Sequence, residues 1–122
     1  MNIRVSEPEG NLNIAQSYYN AMLAKDFDKM DSYLHKEVHF AGPLSEMCGK
    51  DAVISAAKHL SQVLQDIEIR SKFAVDNKIM FAYDFIFPHP INRLRAAVLM
   101  EFTKGLISKI ELFFDSKPFI KE

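Results

Sequence analysis

Apolar residues along the chain change their period once, dividing a helical first half from a stranded second half. Ile14, Tyr18 and Met22 recur at i, i+4 and i+8. Asn13 is placed to cap them and Gln16 follows three residues on, so a helix is predicted over residues 13–24. Residues 1–12 carry Glu-Pro-Glu-Gly and no apolar period, which reads as a loose leader. Asp26 can cap a second, shorter helix running through Met30 and Leu34, and residues 37–41 form a first strand stopped by Gly42-Pro43. Gly49 opens a third helix over residues 50–64. There Val53, Ala56, Ala57, Leu60 and Leu64 share one face, and Lys58, Ser61 and Gln65 take the other.

After Gln65 the period falls to two. Ile67, Ile69, Phe73 and Val75 alternate with Glu68, Arg70, Lys72 and Ala74, and Ser71 is the one polar residue on the apolar parity. Asp76-Asn77 makes a turn into an almost wholly apolar strand, residues 79–87, which Asp84 interrupts and Pro88-His89-Pro90 ends, since neither proline can donate to a ladder. Residues 94–103 and 106–114 close a hairpin about Lys104-Gly105. Three helices followed by an antiparallel meander predict an α+β fold, with N-terminal helices covering one face of a curved sheet and enclosing a core or a pocket.

With 122 residues the chain suits one domain over residues 1–122, and its 48% hydrophobic content can furnish one core. Fifteen basic against 16 acidic residues give a net charge of -1, which argues against a nucleic-acid partner. Apolar runs such as Ala96-Ala97-Val98-Leu99-Met100 fall far short of the ~20 residues of a membrane span, and the polar start lacks the apolar segment of a signal peptide. A cytoplasmic protein is expected. Cys48 is the single cysteine, so no disulfide can form within the chain.

No cofactor or metal is expected. His35 and His39 lie four apart, but beyond the end of a helix, so the geometry of a zinc-binding H-E-x-x-H helix is not met. His39 could act as a general base if the strand register slips by one, its ordinary pKa being near neutral. His59 and His89 read as surface residues, and Cys48, in the loop before the third helix, as an inert thiol.

Three local patterns sharpen this reading: Ala15-Gln16-Ser17-Tyr18 through Ala24-Lys25-Asp26-Phe27-Asp28, Gly49-Lys50-Asp51-Ala52-Val53, and Lys104-Gly105-Leu106-Ile107 with Leu112-Phe113-Phe114-Asp115. In order and spacing they resemble the nuclear transport factor 2-like (NTF2-like) superfamily, in its SnoaL-like and ketosteroid isomerase-like branch, over residues 13–115. The resemblance implies a cone with a pocket. Tyr18 matches the tyrosine that donates to a substrate oxyanion in ketosteroid isomerases, while Gly42 stands where that family has its carboxylate base and Val98 where it has a protonated aspartate. The arginine-x-aspartate of epoxide hydrolases on this fold is likewise broken, with Ala97 after Arg95.

The family's register implies that Phe81, Tyr83, Phe85, Met100, Ile110, Leu112 and Phe114 point inward. With Tyr19, Met22 and Phe40 they would make an aromatic site for a small hydrophobic molecule, Tyr18 and His39 being its catalytic candidates. The same aromatics would equally serve as core packing. Asp84, Arg95, Glu101, Lys109, Glu111 and Asp115 take the opposite parity and form a charged outer ladder. In the superfamily that face often forms a homodimer, here with Leu99 and Phe113 at its centre. Three functions remain open: an isomerase-, cyclase- or lyase-like enzyme acting on a small hydrophobic carbonyl compound, a non-catalytic binding domain, and a dimeric interaction module.

Overall fold

The computed structural model describes residues 6–119. Its first helix, α1 (Glu7–Leu23), starts six residues earlier than the periodicity suggests. Ser6, not Asn13, is the cap: its hydroxyl accepts from the Glu9 amide, Pro8 occupies the first turn where no amide partner is needed, and Glu7 and Glu9 suit the positive helix end. The expected leader is therefore helical from Glu7 on, and Asn11 within it is buried; residues 1–5 lie outside the described range. Ala15, Tyr18, Tyr19 and Met22, at i, i+3, i+4 and i+7, form the buried stripe.

Lys25, with φ of 58°, turns the chain, and Asp26 caps α2 (Phe27–Ser32) by accepting from the Lys29 amide. Leu34 is not in that helix but begins β1 (Leu34–Ala41). A short strand that the pattern did not signal, β2 (Glu46–Cys48), pairs antiparallel with β1 and contains Cys48, which is exposed. Only then comes α3 (Lys50–Ser61), shorter than expected, so the third helix follows two strands and is not N-terminal to the sheet.

The meander runs through β3 (Asp66–Val75), β4 (Lys78–Ile86), β5 (Arg93–Thr103) and β6 (Leu106–Phe114), and ends in a short 3-10 turn at Lys117–Phe119. Six strands form one curved mixed sheet in the order β2-β1-β6-β5-β4-β3, in which the β1–β6 pair is parallel and the others antiparallel. Helix α1 packs on β3 and β4, and α3 on β1. The core lies between these helices and the inward parity of the strands, where Phe81, Tyr83, Val98, Met100 and Ile107 are fully buried. No described helix is long and apolar enough to cross a membrane.

One break in the alternation changes a surface. A bulge between Ile69 and Ser71 shifts the β3–β4 register, so Ile67 and Ile69 oppose Phe85 and Tyr83 whereas Phe73 opposes Met80. Phe73 and Val75, expected on the same face as Ile67 and Ile69, are turned outward and are 63% and 66% exposed. Ser71, the odd polar residue in the apolar set, marks the place where the parity changes.

Candidate functional site

Where the second half of α1 faces the sheet, three tyrosines meet. Tyr18 and Tyr19 are adjacent on the buried stripe, their rings edge to face with centroids 5.3 Å apart, and Tyr19 meets Tyr83 of β4 in the same way at 5.2 Å. The Tyr19 and Tyr83 hydroxyls lie 2.8 Å apart in a buried hydrogen bond. One of them donates to the other, which leaves the second hydroxyl's hydrogen free for another acceptor. The Tyr18 phenol lies beside this pair and takes no part in its bond.

Burial raises the pKa of all three phenols: for Tyr18 the neighbouring Tyr19 adds to the effect, for Tyr19 the bond with Tyr83 offsets part of it, and for Tyr83 both neighbours reinforce it. Each is therefore a neutral hydroxyl over the working pH range, suited to donating a hydrogen bond rather than to removing a proton.

These tyrosines form one wall of an apolar cavity with about 80 Å³ of free volume. Met22 completes the α1 side, while Val53, Ala56, Ala57 and Leu60 of α3 form the opposite side. The sheet contributes Phe40 and Met47 at one edge, Tyr83 and Phe85 in the middle, and Ile110 and Leu112 from β6. Beyond the tyrosine hydroxyls the lining side chains carry no oxygen or nitrogen, and none is a carboxylate or an imidazole.

Of the candidate residues, the fold brings Tyr18, Tyr19, Met22, Phe40, Tyr83, Phe85, Ile110 and Leu112 onto this wall and leaves the others elsewhere. Phe81 and Met100 are inward but fully buried in the core. Phe114 faces an adjoining hollow. His39 alternates with buried Val38 and with Phe40, so its ring points the other way, where Nε2 lies 2.9 Å from Glu46 Oε1. The one-residue slip that would turn it inward does not occur. Sequence reasoning missed Met47, because β2 has only three residues, and it missed the part played by α3. The apolar face of that helix was legible, but not the wall it would build.

The position expected for a carboxylate base carries none, and it packs closely against the cavity wall. A Cβ added to Gly42 would lie 3.2 Å from Phe40 Cε1 and 3.8 Å from Leu112 Cβ, both residues of the cavity wall. Val98 is fully buried between its partners Phe81 and Leu112. Arg95 is exposed, and among the described residues no group of histidine, cysteine or acidic side chains is placed to hold a metal ion.

The outer face carries its charges in an unexpected form. Asp84 accepts from Arg70 Nε at 3.0 Å and from Arg93 Nη1 at 2.8 Å, and Arg93 also reaches Glu68 at 3.0 Å. Burial by itself would raise the Asp84 pKa, but the hydrogen bonds and charges of Arg93 and Arg70 together outweigh it and hold the carboxyl below its usual range. Glu101 and Lys109 form a looser cross-strand pair at 3.7 Å.

The architecture has close counterparts among solved structures. An NTF2-like protein of unknown function from Cytophaga hutchinsonii superposes with a TM-score of 0.79 at 16% identity, over 99% of this chain and 100% of its own. A candidate ketosteroid isomerase from Kribbella flavida gives 0.79 at 12% identity, over 96% and 92%. An LEH-like epoxide hydrolase of M. tuberculosis gives 0.78 at 16% identity, over 92% and 87%. Identities this low speak for a common fold alone. Comparison with curated proteins gives no match. The SnoaL-like domain matches residues 15–110, which include the cavity-lining residues of both helices and most of the sheet wall. With that match the chain belongs to the SnoaL-like domain family, and it shares its fold with the NTF2-like protein above.

Proposed function

We propose that the cavity binds the polar end of a small hydrophobic carbonyl or hydroxyl compound through the tyrosine hydroxyls. The observation that carries this reading is the Tyr19–Tyr83 bond beside Tyr18: neutral donors at the end of an otherwise apolar wall, where a hydrogen bond is not diluted by water. Such donors polarise a carbonyl and stabilise an oxyanion as it forms. The wall has no carboxylate or imidazole to accept a proton. The geometry therefore favours recognition. Any isomerase-, cyclase- or lyase-like step would depend on proton transfers made by the substrate or water.

A compact ketone such as 2-pentanone tests this by titration followed in NMR spectra. Tyr18→Phe should weaken binding about five- to tenfold, the size of one neutral hydrogen bond in such a site. Equal affinity in wild type, Tyr18→Phe and the double variant Tyr19→Phe/Tyr83→Phe would exclude the hydroxyls from recognition.

A second reading concerns assembly. The outer sheet face exposes Phe73, Val75, Met80 and Phe113, with Leu99 partly exposed among them, which is more large apolar surface than folding alone requires. The cross-strand rows Ser71–Ala82–Ala97–Phe113 and Phe73–Met80–Leu99–Glu111 form a mainly apolar band with Ser71 and Glu111 at its ends, flanked by the Asp84 network on one side and the Glu101–Lys109 pair on the other. An apolar centre with a charged rim suits a homodimer through this face.

A further inference from the structure

Resting on the reading of the tyrosine cavity as a binding site, we propose that its ligand is a straight-chain compound. Its alkyl tail leaves past Leu60, Phe85 and Leu112 and lies in the adjoining hollow beneath Leu44 and Phe119.

Volume makes the first case. An apolar cavity of roughly 150 Å³ holds one benzene ring, and the tyrosine cavity has about 80 Å³. It can take a carbonyl and a few carbons, while a fused-ring ligand of steroid size is excluded unless the walls move. The rest of any larger ligand must lie outside it.

The walls say where. Leu60, Phe85 and Leu112 line the tyrosine cavity and also a second hollow of about 220 Å³, so the two spaces adjoin across these three side chains, which a tail must pass. Together they reach the roughly 300 Å³ at which small-molecule sites begin. Apart from Ser45 the second hollow is lined by apolar residues, which offers a tail nothing to hydrogen-bond and no charge to avoid. Polar recognition is thus confined to one end, as for a molecule with one polar head and a plain hydrocarbon remainder.

Two exposed apolar side chains at the rim support the same assignment. Leu44, in the loop between β1 and β2, is 54% exposed, and Phe119, on the C-terminal 3-10 turn, is 38% exposed. Both border this hollow. Phe119 stands edge-on to Phe87 at 6.0 Å and to Phe114 at 5.7 Å, which holds its partly wet ring at the rim of the hollow. A tail beneath them would bury hydrocarbon that the free protein leaves wet.

A series of 2-alkanones from 2-butanone to 2-decanone, titrated into the full chain, tests the proposal through its slope. Affinity should rise about three- to fourfold per added methylene while the tail enters the hollow. Leu44→Glu combined with Phe119→Glu should flatten that rise, and thermal unfolding will confirm that the variant folds. Tyr18→Phe should shift the whole series by one factor and leave the slope intact, so the head and the tail are read separately. A slope that is flat in wild type, or steep and unaltered in the double variant, overturns the tail assignment even if Tyr18→Phe weakens binding. No ketone of any length binding overturns both readings.

Discussion

Asp84 lies on the outer face of β4, yet its side chain is only 3% exposed, because the two arginines that bind it also cover it. Its position on the solvent parity follows from strand alternation. Its burial does not, since the bulge that brings Arg70 into reach is a property of the paired strands. The folded-state pKa is depressed below the ordinary 3.8. The stability it contributes is therefore complete above pH 3.8 and is lost as pH falls through the lower, folded value. Asp84→Asn should cost about 1–3 kcal/mol at neutral pH, less than the 3–5 kcal/mol of a fully buried pair, because the arginines can turn to water. Urea unfolding at pH 7 and at steps below pH 3.8 checks this: the gap between variant and wild type should narrow as pH falls through the folded value. Tyr18 and Met22 were legible one by one, because helical spacing places them on one stripe whatever they pack against. The Tyr19–Tyr83 bond was not, since its partners are 64 residues apart.

Among the elements, α3 shows how much depends on one backbone position. Gly49 precedes the helix with φ of 90° and ψ of 152°, a conformation in which its amide donates to Val38 O at 2.8 Å and ties the helix to β1. Nothing lies within 4 Å of an added Cβ, so Gly49→Ala would meet no clash, and its cost is that of the backbone alone. About 1–3 kcal/mol is expected, measurable as a lower urea midpoint with an unchanged slope. Weakened 2-pentanone binding should accompany it, because Val53, Ala56 and Ala57 hang from this helix. The start of α3 was legible from Gly49 and its apolar period. The start of α1 was not, because Ser6 and Pro8 act through capping geometry and the apolar pattern begins only farther on. Strand β2 is held by three residue pairs to β1 and has no pattern of its own to betray it.

At the scale of the whole molecule, the two faces of the sheet divide the proposed roles: recognition on the concave side under the helices, assembly on the outer side. Wild-type protein at micromolar concentration should sediment as a dimer, and Phe73→Asp/Leu99→Asp as a monomer that keeps its helical circular dichroism. A monomeric wild type would end the dimer proposal and leave the cavity reading intact. By itself the amino-acid sequence determined the order of helices and meander, the alternation along β4 and β6, and the stripe bearing Tyr18 and Met22. Each of these follows from a short-range period that burial on one face imposes. Tertiary structure decided that Tyr19 and Tyr83 share a hydrogen bond and that His39 faces Glu46. It also decided that Phe40 fills the space beside Gly42 and that a bulge turns Phe73 and Val75 outward. All of these depend on register and on contacts between distant segments, which no local pattern records.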